Sequence, residues 1–201
     1  MILSEKRKTD EKWFYSDEQF NQLYPLDIRT LSARHWTPLQ VARVAAGFLA
    51  TEKQAKILDI GSGVGKFCLS AAHFYPQATF YGVEQRRYLI KHAETAGKIL
   101  GFKNVSFIHG NFTQIDLKNF DHFYFFNSFY ENLTGTDKID EDILYSAELF
   151  NYYNRFLYKQ LEKMPAGTRL VTFHSLEDEI PDCYQVVDVQ MSNMLKFRIK
   201  V

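Results

Sequence analysis

The sequence predicts an α/β fold: a single sandwich whose seven-stranded, mostly parallel sheet ends in an antiparallel hairpin and carries helices on both faces. Three observations lead there. From Lys56 onward, short apolar runs alternate with stretches of helical periodicity, and strands alternating with helices form parallel sheets joined by right-handed crossovers. A glycine-rich turn, Gly61-Ser62-Gly63-Val64-Gly65, comes after the first apolar run, at the strand-to-helix switch where open α/β sheets bind ligands. The tail breaks the alternation with two strand-like runs joined through Ser192-Asn193, and strands so closely linked pair antiparallel.

Residues 1–15 read as a frayed arm. Ser16-Asp17-Glu18-Gln19 has the spacing of a capping box, and Pro25 stops the helix it opens, which predicts a short helix over 17–24. Thr37-Pro38-Leu39-Gln40 repeats the device, with Thr37 as N-cap and Pro38 at the first helical position, for a helix over 38–50. Buried strands are expected at 56–60, 79–84, 105–109, 123–127 and 169–174. Between them, Val64, Phe67, Cys68, Ala71, Ala72 and Tyr75 recur at helical spacing up to Pro76, and Leu89, Ala93, Ala96 and Leu100 do so up to a capping Gly101. Leu149, Tyr153, Phe156, Gln160 and Met164 trace a longer helix bounded by Pro165 and Gly167, while 114–121 has the pattern of a single turn at most. Segments 184–191 and 194–201 make the hairpin, with Leu195, Phe197, Ile199 and Val201 alternating against Lys196, Arg198 and Lys200. The chain divides into an N-terminal helical arm or lid, 1–36, and the domain proper, 37–201.

Composition narrows the function classes. At 201 residues, with 46% hydrophobic content, the chain can bury one sizeable core. Lysine plus arginine and aspartate plus glutamate both count 24, so the total charge gives no clear nucleic-acid or membrane signal. Two cysteines without a CxxC pair, a polar start and no apolar run of bilayer length point to a cytoplasmic protein. Cys68, inside a predicted helix, reads as a small buried hydrophobe. No set of histidines, cysteines or carboxylates has metal-ligand spacing, so no metal is expected.

The glycine turn discriminates between cofactors. The dinucleotide fingerprint GxGxxG needs a glycine where this chain has Lys66, and the spacing is GxGxG instead. Asp59 precedes the glycines and adds negative charge where a diphosphate would lie, which suits a cofactor with an amino group and no phosphate. S-adenosylmethionine has that chemistry: an ammonium, a sulfonium, a ribose diol and an adenine. Glu84, ending the second strand, is placed to accept from both ribose hydroxyls, and Gly110-Asn111-Phe112, ending the third, sits at the depth of the adenine. An NAD-dependent oxidoreductase is disfavoured by Lys66 and by the terminal hairpin.

Asp59 to Glu84, "DIGSGVGKFCLSAAHFYPQATFYGVE", resembles the core of the class I, seven-stranded, Rossmann-like S-adenosylmethionine-dependent methyltransferases. Within that superfamily "GSGVGKF" and "YGVE" are closest in flavour to the non-SET histone lysine methyltransferases. The resemblance implies Asp59, Gly61, Gly63 and Gly65, with Ser62 among them, around the methionine moiety, and Glu84 on the ribose. It puts Asn111 where many members have an aspartate accepting from the adenine amino group, and Gln85 where they often have an apolar residue beside the adenine. Thr37, by the same comparison, contacts the cofactor carboxylate.

"FYFFNSFYEN", Phe123 to Asn132, ends the fourth strand, which in this family faces the transferable methyl. Asn127-Ser128-Phe129-Tyr130 resembles, without its prolines, the Asn-Pro-Pro-Tyr motif of enzymes that methylate amide or exocyclic amino nitrogens. The resemblance makes Asn127 and Tyr130 catalytic candidates, with Glu131 as a base or a cation-binding group. His35, and His174 at the end of the fifth strand, are further candidates near the site. The reading is therefore a methyltransferase acting on a nitrogen or oxygen of a small molecule or protein. A protein lysine or glutamine methyltransferase and a non-catalytic module binding S-adenosylmethionine or S-adenosylhomocysteine are the alternatives. The Trp13, Phe14, Tyr15 cluster suits either a lid over a small substrate or a docking surface for a protein.

Overall fold

The computed structural model of the chain describes residues 11–175 and 179–201. In chain order the helices and strands are α1 (Asp17–Asn21), α2 (Leu26–Arg29), α3 (Ser32–His35), α4 (Leu39–Leu49), β1 (Lys56–Ile60), α5 (Lys66–Phe74), β2 (Thr79–Glu84), α6 (Arg87–Leu100), β3 (Val105–His109), β4 (His122–Phe126), α7 (Ala147–Glu162), β5 (Arg169–Phe173), β6 (Tyr184–Gln190) and β7 (Leu195–Lys200). The strands form one seven-stranded sheet in the order β3-β2-β1-β4-β5-β7-β6. β1 to β5 are parallel, and β7 runs antiparallel between β5 and β6. This is the Rossmann-like arrangement expected from the alternating pattern, with the chain reversing direction across the sheet between β1 and β4.

Alternation along each strand sorts side chains onto two faces. Ile57, Phe80, Tyr124, Val171 and Phe197 meet α4 and α5 on one face. Leu58, Ile60, Phe123, Phe125 and Leu170 meet Leu157 and Leu161 of α7 on the other. Burying a side chain of this size contributes about 1.5–3 kcal/mol, and the two layers together hold the strand ends that make up the site. The expected punctuation is present: Ser16 Oγ accepts from the Gln19 amide at 3.2 Å, and Gly101 ends α6 in the left-handed conformation at φ 70°; Ser146, not foreseen, caps α7.

Three expectations are corrected. Thr37 does not cap α4; its hydroxyl hydrogen-bonds the buried Tyr124 hydroxyl at 3.0 Å, and the Leu39 amide is capped by Asp17 Oδ1 at 3.0 Å. A buried tyrosine needs a partner for its hydroxyl, and that demand outweighs a local cap that Asp17 of α1 can supply. Segment 114–121 belongs to two 3₁₀ turns, Phe112–Gln114 and Leu117–Asn119, which bring Phe112 and Leu117 into the core. The arm is anchored at Phe14, which is buried and stacks on His73 with centroids 3.9 Å apart. Residues 1–10 of that arm lie outside the described residues.

The rest of the arm closes on the glycine turn. Phe20, Tyr24, Ile28 and Trp36 pack with Val64, Leu69 and Leu89. The Tyr24 hydroxyl donates to the Val64 carbonyl at 3.0 Å. Lys66, almost wholly buried, pairs with Asp17, donates to Asn21 Oδ1 at 3.0 Å and lies over the rings of Phe20 and Trp36. The residue that excluded the dinucleotide fingerprint is thus the tether of the arm.

Candidate active site

A cleft of about 320 Å³ opens at the carboxyl ends of β1, β2, β3 and β4, where ligands bind in such sheets. It is lined by the glycine turn, by Glu84, Gln85 and Arg86 after β2, by Gly110, Asn111 and Phe112 after β3, and by the stretch from Phe126 to Asn132 after β4. Arg34 and His35 of α3 and Tyr153 of α7 complete the wall.

The glycine turn is built to hold one carboxylate. The Gly61 and Ser62 amides both donate to the Val83 carbonyl at 2.9 Å, and the Gly65 amide donates to the Ser62 carbonyl at 2.8 Å. The Gly63 amide donates to Glu84 Oε2 at 3.2 Å, and the Arg86 amide donates to Glu84 Oε1 at 2.8 Å. Amides spent in this way cannot cradle a diphosphate, whereas Glu84 itself lines the cleft. Burial pushes the Glu84 carboxyl up, against the amide donors and the Arg86 charge that favour its ionised form.

Gly61 and Ser128 tie the turn to the end of β4. Gly61 has φ 78°, and a Cβ there would collide with the Ser128 side chain, whose hydroxyl donates to the Ile60 carbonyl at 2.5 Å. At Gly63 a Cβ would meet nothing within 4 Å, because that position faces the open cleft.

The wall after β4 centres on Asn127. It comes directly after β4 at φ 47°, in the left-handed region, and its Oδ1 is buried with no hydrogen-bond partner among the described residues. A strained backbone and an orphaned buried acceptor at the same residue each cost free energy and gather at functional sites. Phe112 stacks on Phe129 with centroids 4.8 Å apart and meets Tyr153 edge-on at 5.6 Å, so the floor beside Asn127 is flat and apolar. Tyr130 lines the same wall, its ring edge-on to Phe150.

Of the residues singled out from sequence, Gly61, Gly63, Glu84, Gln85, Asn111, Phe112, Asn127, Tyr130 and Glu131 come together around the cleft. Asp59, Ser62, Gly65 and Thr37 are not among its lining residues. Asp59 is buried beneath the turn, with the Cys68 thiol 3.7 Å from its Oδ2, and burial raises its pKa to about 8. It therefore does not supply the negative charge that its place in the sequence suggested. The Gly65 position is closed by Phe107 and Ala93, and Thr37 is committed to Tyr124. Asn111 Oδ1 accepts from the Thr113 amide and hydroxyl, both at 3.0 Å, and its Nδ2 donates to the Tyr153 hydroxyl at 2.8 Å. Its carbonyl is thus occupied by its own turn, not held open for an adenine amino group.

Glu131 is equally committed. Its carboxylate accepts from Arg86 Nη2 at 2.5 Å, Arg86 Nη1 at 3.3 Å and the Ile139 amide at 3.1 Å, so it is an anchor and not a free base. His174 comes after β5 at φ 57°, its ring against Phe126 and Phe173, and does not line the cleft. Arg86 and Tyr153 were missed by sequence reasoning. The side-chain hydrogen bonds of Arg86 go to residues forty-five and more positions away, and only its place two residues after a strand-end acid hinted at a role. Among the described residues no group of three or more histidine, cysteine or acidic side chains is placed to hold a metal.

The groups of S-adenosylmethionine fit these residues: Glu84 is a carboxylate that would accept from a diol, no side chain fills the space at Gly63, Phe112 is an apolar wall, and the unpartnered Asn127 oxygen lies at the end of β4.

Comparison with known proteins agrees. The model of the methyltransferase-domain family matches residues 51–160, more than half of the 201-residue chain. A tRNA (guanine-N(7)-)-methyltransferase of Synechocystis is 43% identical over 54 residues, 27% of this chain and 26% of its own length. An uncharacterized protein of Rickettsia prowazekii is 36% identical over 64 residues, 32% of this chain and 12% of its own length. The chain thus spans only a minor part of these curated relatives. Among solved structures, an RNA methyltransferase from Salinibacter ruber in complex with S-adenosyl-L-homocysteine has a TM-score of 0.59 at 20% identity, covering 83% of this chain and 93% of that one. TrmN from Thermus thermophilus has a TM-score of 0.60 at 16% identity, covering 87% and 52%. The structural likenesses establish a shared fold. The names of partly matching curated relatives, given for tRNA, weigh against the expectation of no clear nucleic-acid signal. By its matching family model and its seven-stranded sheet, the chain belongs to the methyltransferase-domain family and has the class I, Rossmann-like fold of the S-adenosylmethionine-dependent methyltransferases.

Proposed function

We propose that this chain transfers the methyl group of S-adenosylmethionine to a nitrogen of a planar group such as an amide or an exocyclic amine. The observation that carries the acceptor is Asn127, whose buried Oδ1 lacks a partner at a left-handed strand end. An N–H of the acceptor donating to that oxygen satisfies it and turns the nitrogen toward the cleft. The Tyr130 ring, on the same wall as Asn127, packs on the planar group and excludes water.

The cofactor, when bound, supplies a methyl on a sulfonium already activated for transfer. The chain's own contribution is holding and orienting. Glu84 accepts from the ribose hydroxyls, Gly63 leaves room against the turn, and Asn127 fixes the acceptor, so that catalysis rests mainly on positioning and desolvation. Free thiols at Cys68 and Cys183 accord with a reducing, cytoplasmic setting. Among the described residues no helix is long and apolar enough to cross a membrane.

The test is incubation with methyl-radiolabelled S-adenosylmethionine and cell extract split into RNA, protein and small-molecule fractions. We expect label on a nitrogen in one fraction, reduced at least about a hundredfold by Asn127→Ala while S-adenosylhomocysteine still binds. Label on oxygen, or transfer indifferent to Asn127→Ala, removes the nitrogen reading.

A further inference from the structure

One buried guanidinium joins the two halves of the cleft. Arg86, the residue before α6, is almost wholly buried. Toward the cofactor half, its amide donates to Glu84 Oε1 at 2.8 Å and its Nη1 lies 3.6 Å from the same oxygen. Toward the acceptor half, it reaches three separate points of the stretch between β4 and α7. Nη1 and Nη2 fork onto the Glu131 carboxylate, Nε donates to Asp140 Oδ2 at 2.9 Å, and Nη2 donates to the Tyr145 hydroxyl at 2.7 Å. The far side of this network is also closed: Tyr145 donates to the Asp140 carbonyl at 2.7 Å, and Tyr88 of α6 donates to Asp140 Oδ2 at 2.7 Å.

The stretch from Asn127 to Ser146 holds only one 3₁₀ turn, Tyr130–Asn132, as regular structure, yet it carries Asn127, Tyr130, Gly135 and Thr136 of the cleft wall. Among the described residues its other charged tie, made to the arm, is the exposed pair of Arg34 with Asp137, and exposed pairs hold little. Three carboxylates, those of Glu84, Glu131 and Asp140, therefore converge on one cation. Burial works against that cation's charge, and the carboxylates of Glu131 and Glu84 hold it firmly protonated.

Resting on the reading of the cleft as a cofactor site, we propose that Arg86 is a positioning residue coupling the ribose-holding carboxylate to the acceptor wall. A diol seated on Glu84 draws on the same carboxylate that Arg86 shares with Glu131 and Asp140. Cofactor occupancy and the stability of residues 127–146 are thereby linked through Arg86. Lysine cannot replace Arg86, because a single ammonium lacks the planar fork needed to hold Glu131 and Asp140 together.

The experiment combines calorimetric binding of S-adenosylhomocysteine with hydrogen exchange of residues 127–146, with and without that ligand. In the wild-type protein we expect the ligand to slow exchange there by between about fivefold and a hundredfold. In Arg86→Lys, which keeps a cation beside Glu84, binding should stay within about tenfold of wild type while the ligand no longer slows exchange. Glu131→Gln and Tyr145→Phe leave Arg86 in place, serve if the Arg86 variant does not fold, and should each weaken the ligand's effect on exchange. Ligand binding without any slowing at 127–146 in the wild type overturns the coupling alone, as does equal slowing in wild type and all three variants. Failure of the wild-type protein to bind S-adenosylhomocysteine overturns the cofactor reading and the coupling with it.

Discussion

Asp59 shows how burial reverses the chemistry a residue type suggests. Beside a glycine turn an aspartate reads as a charge, yet desolvation raises its pKa to about 8 and so favours the neutral acid in the folded protein. The folded-state value lies above the unfolded one. Its contribution to stability is therefore fully present below the unfolded pKa and is lost as pH rises through about 8. Thermal denaturation of Asp59→Asn against the parent should show a difference that moves in the variant's favour between pH 4 and 8, by up to about 1.4 kcal/mol per pH unit. A pH-independent difference would mean that Asp59 ionises normally. At Gly61 the constraint is steric and conformational together, since φ is 78° and a Cβ would strike Ser128. Gly61→Ala should cost about 1–3 kcal/mol of stability and weaken S-adenosylhomocysteine binding, both measurable in one ligand-titrated melt. Preserved stability there would show that Ser128 moves aside at little cost.

At the scale of elements, the arm and the glycine turn form one unit. α1 supplies the cap of α4 through Asp17 and receives Lys66 from the first turn of α5, while Tyr24 holds the Val64 carbonyl inside the turn itself. Tyr24→Phe removes a single hydroxyl whose bond is worth about 1 kcal/mol, so the midpoint should fall by about 2–4 °C. Hydrogen exchange should quicken in α1 and in the glycine turn together. Faster exchange in α1 with an unchanged turn would separate the two and reduce the arm to a surface attachment. Burial, first of all, pulls the Lys66 ammonium down, against the pull of Asp17, so a neutral methionine there should disturb the core less than it disturbs the docking of α1.

The whole molecule places strand ends from both halves of the sheet around one cleft, and ligand-linked stability tests that arrangement directly. At a hundred times its dissociation constant a ligand adds about 2.7 kcal/mol, so S-adenosylhomocysteine should raise the midpoint by several degrees while NAD leaves it unchanged. A shift with NAD alone would restore the dinucleotide reading. The alternation of strands and helices, the terminal hairpin and the glycine turn were legible in the sequence because each rests on local chemistry: side-chain periodicity, turn residues, and the missing Cβ. Ser16 and Gly101 did what their neighbours in sequence required. Thr37 did not, because it found a stronger partner in Tyr124 across the fold, whereas the Asn111 carbonyl is taken by the Thr113 amide and hydroxyl of its own turn. Lys66 could be read as the residue that breaks a dinucleotide motif, but not as the tether of α1, and Glu131 could be read as an acid near the site, but not as the anchor of Arg86. The sequence by itself determined the elements and the kind of cofactor. Only the tertiary structure decided which polar groups face the cleft and which are spent holding it, because that depends on partners brought together from distant parts of the chain.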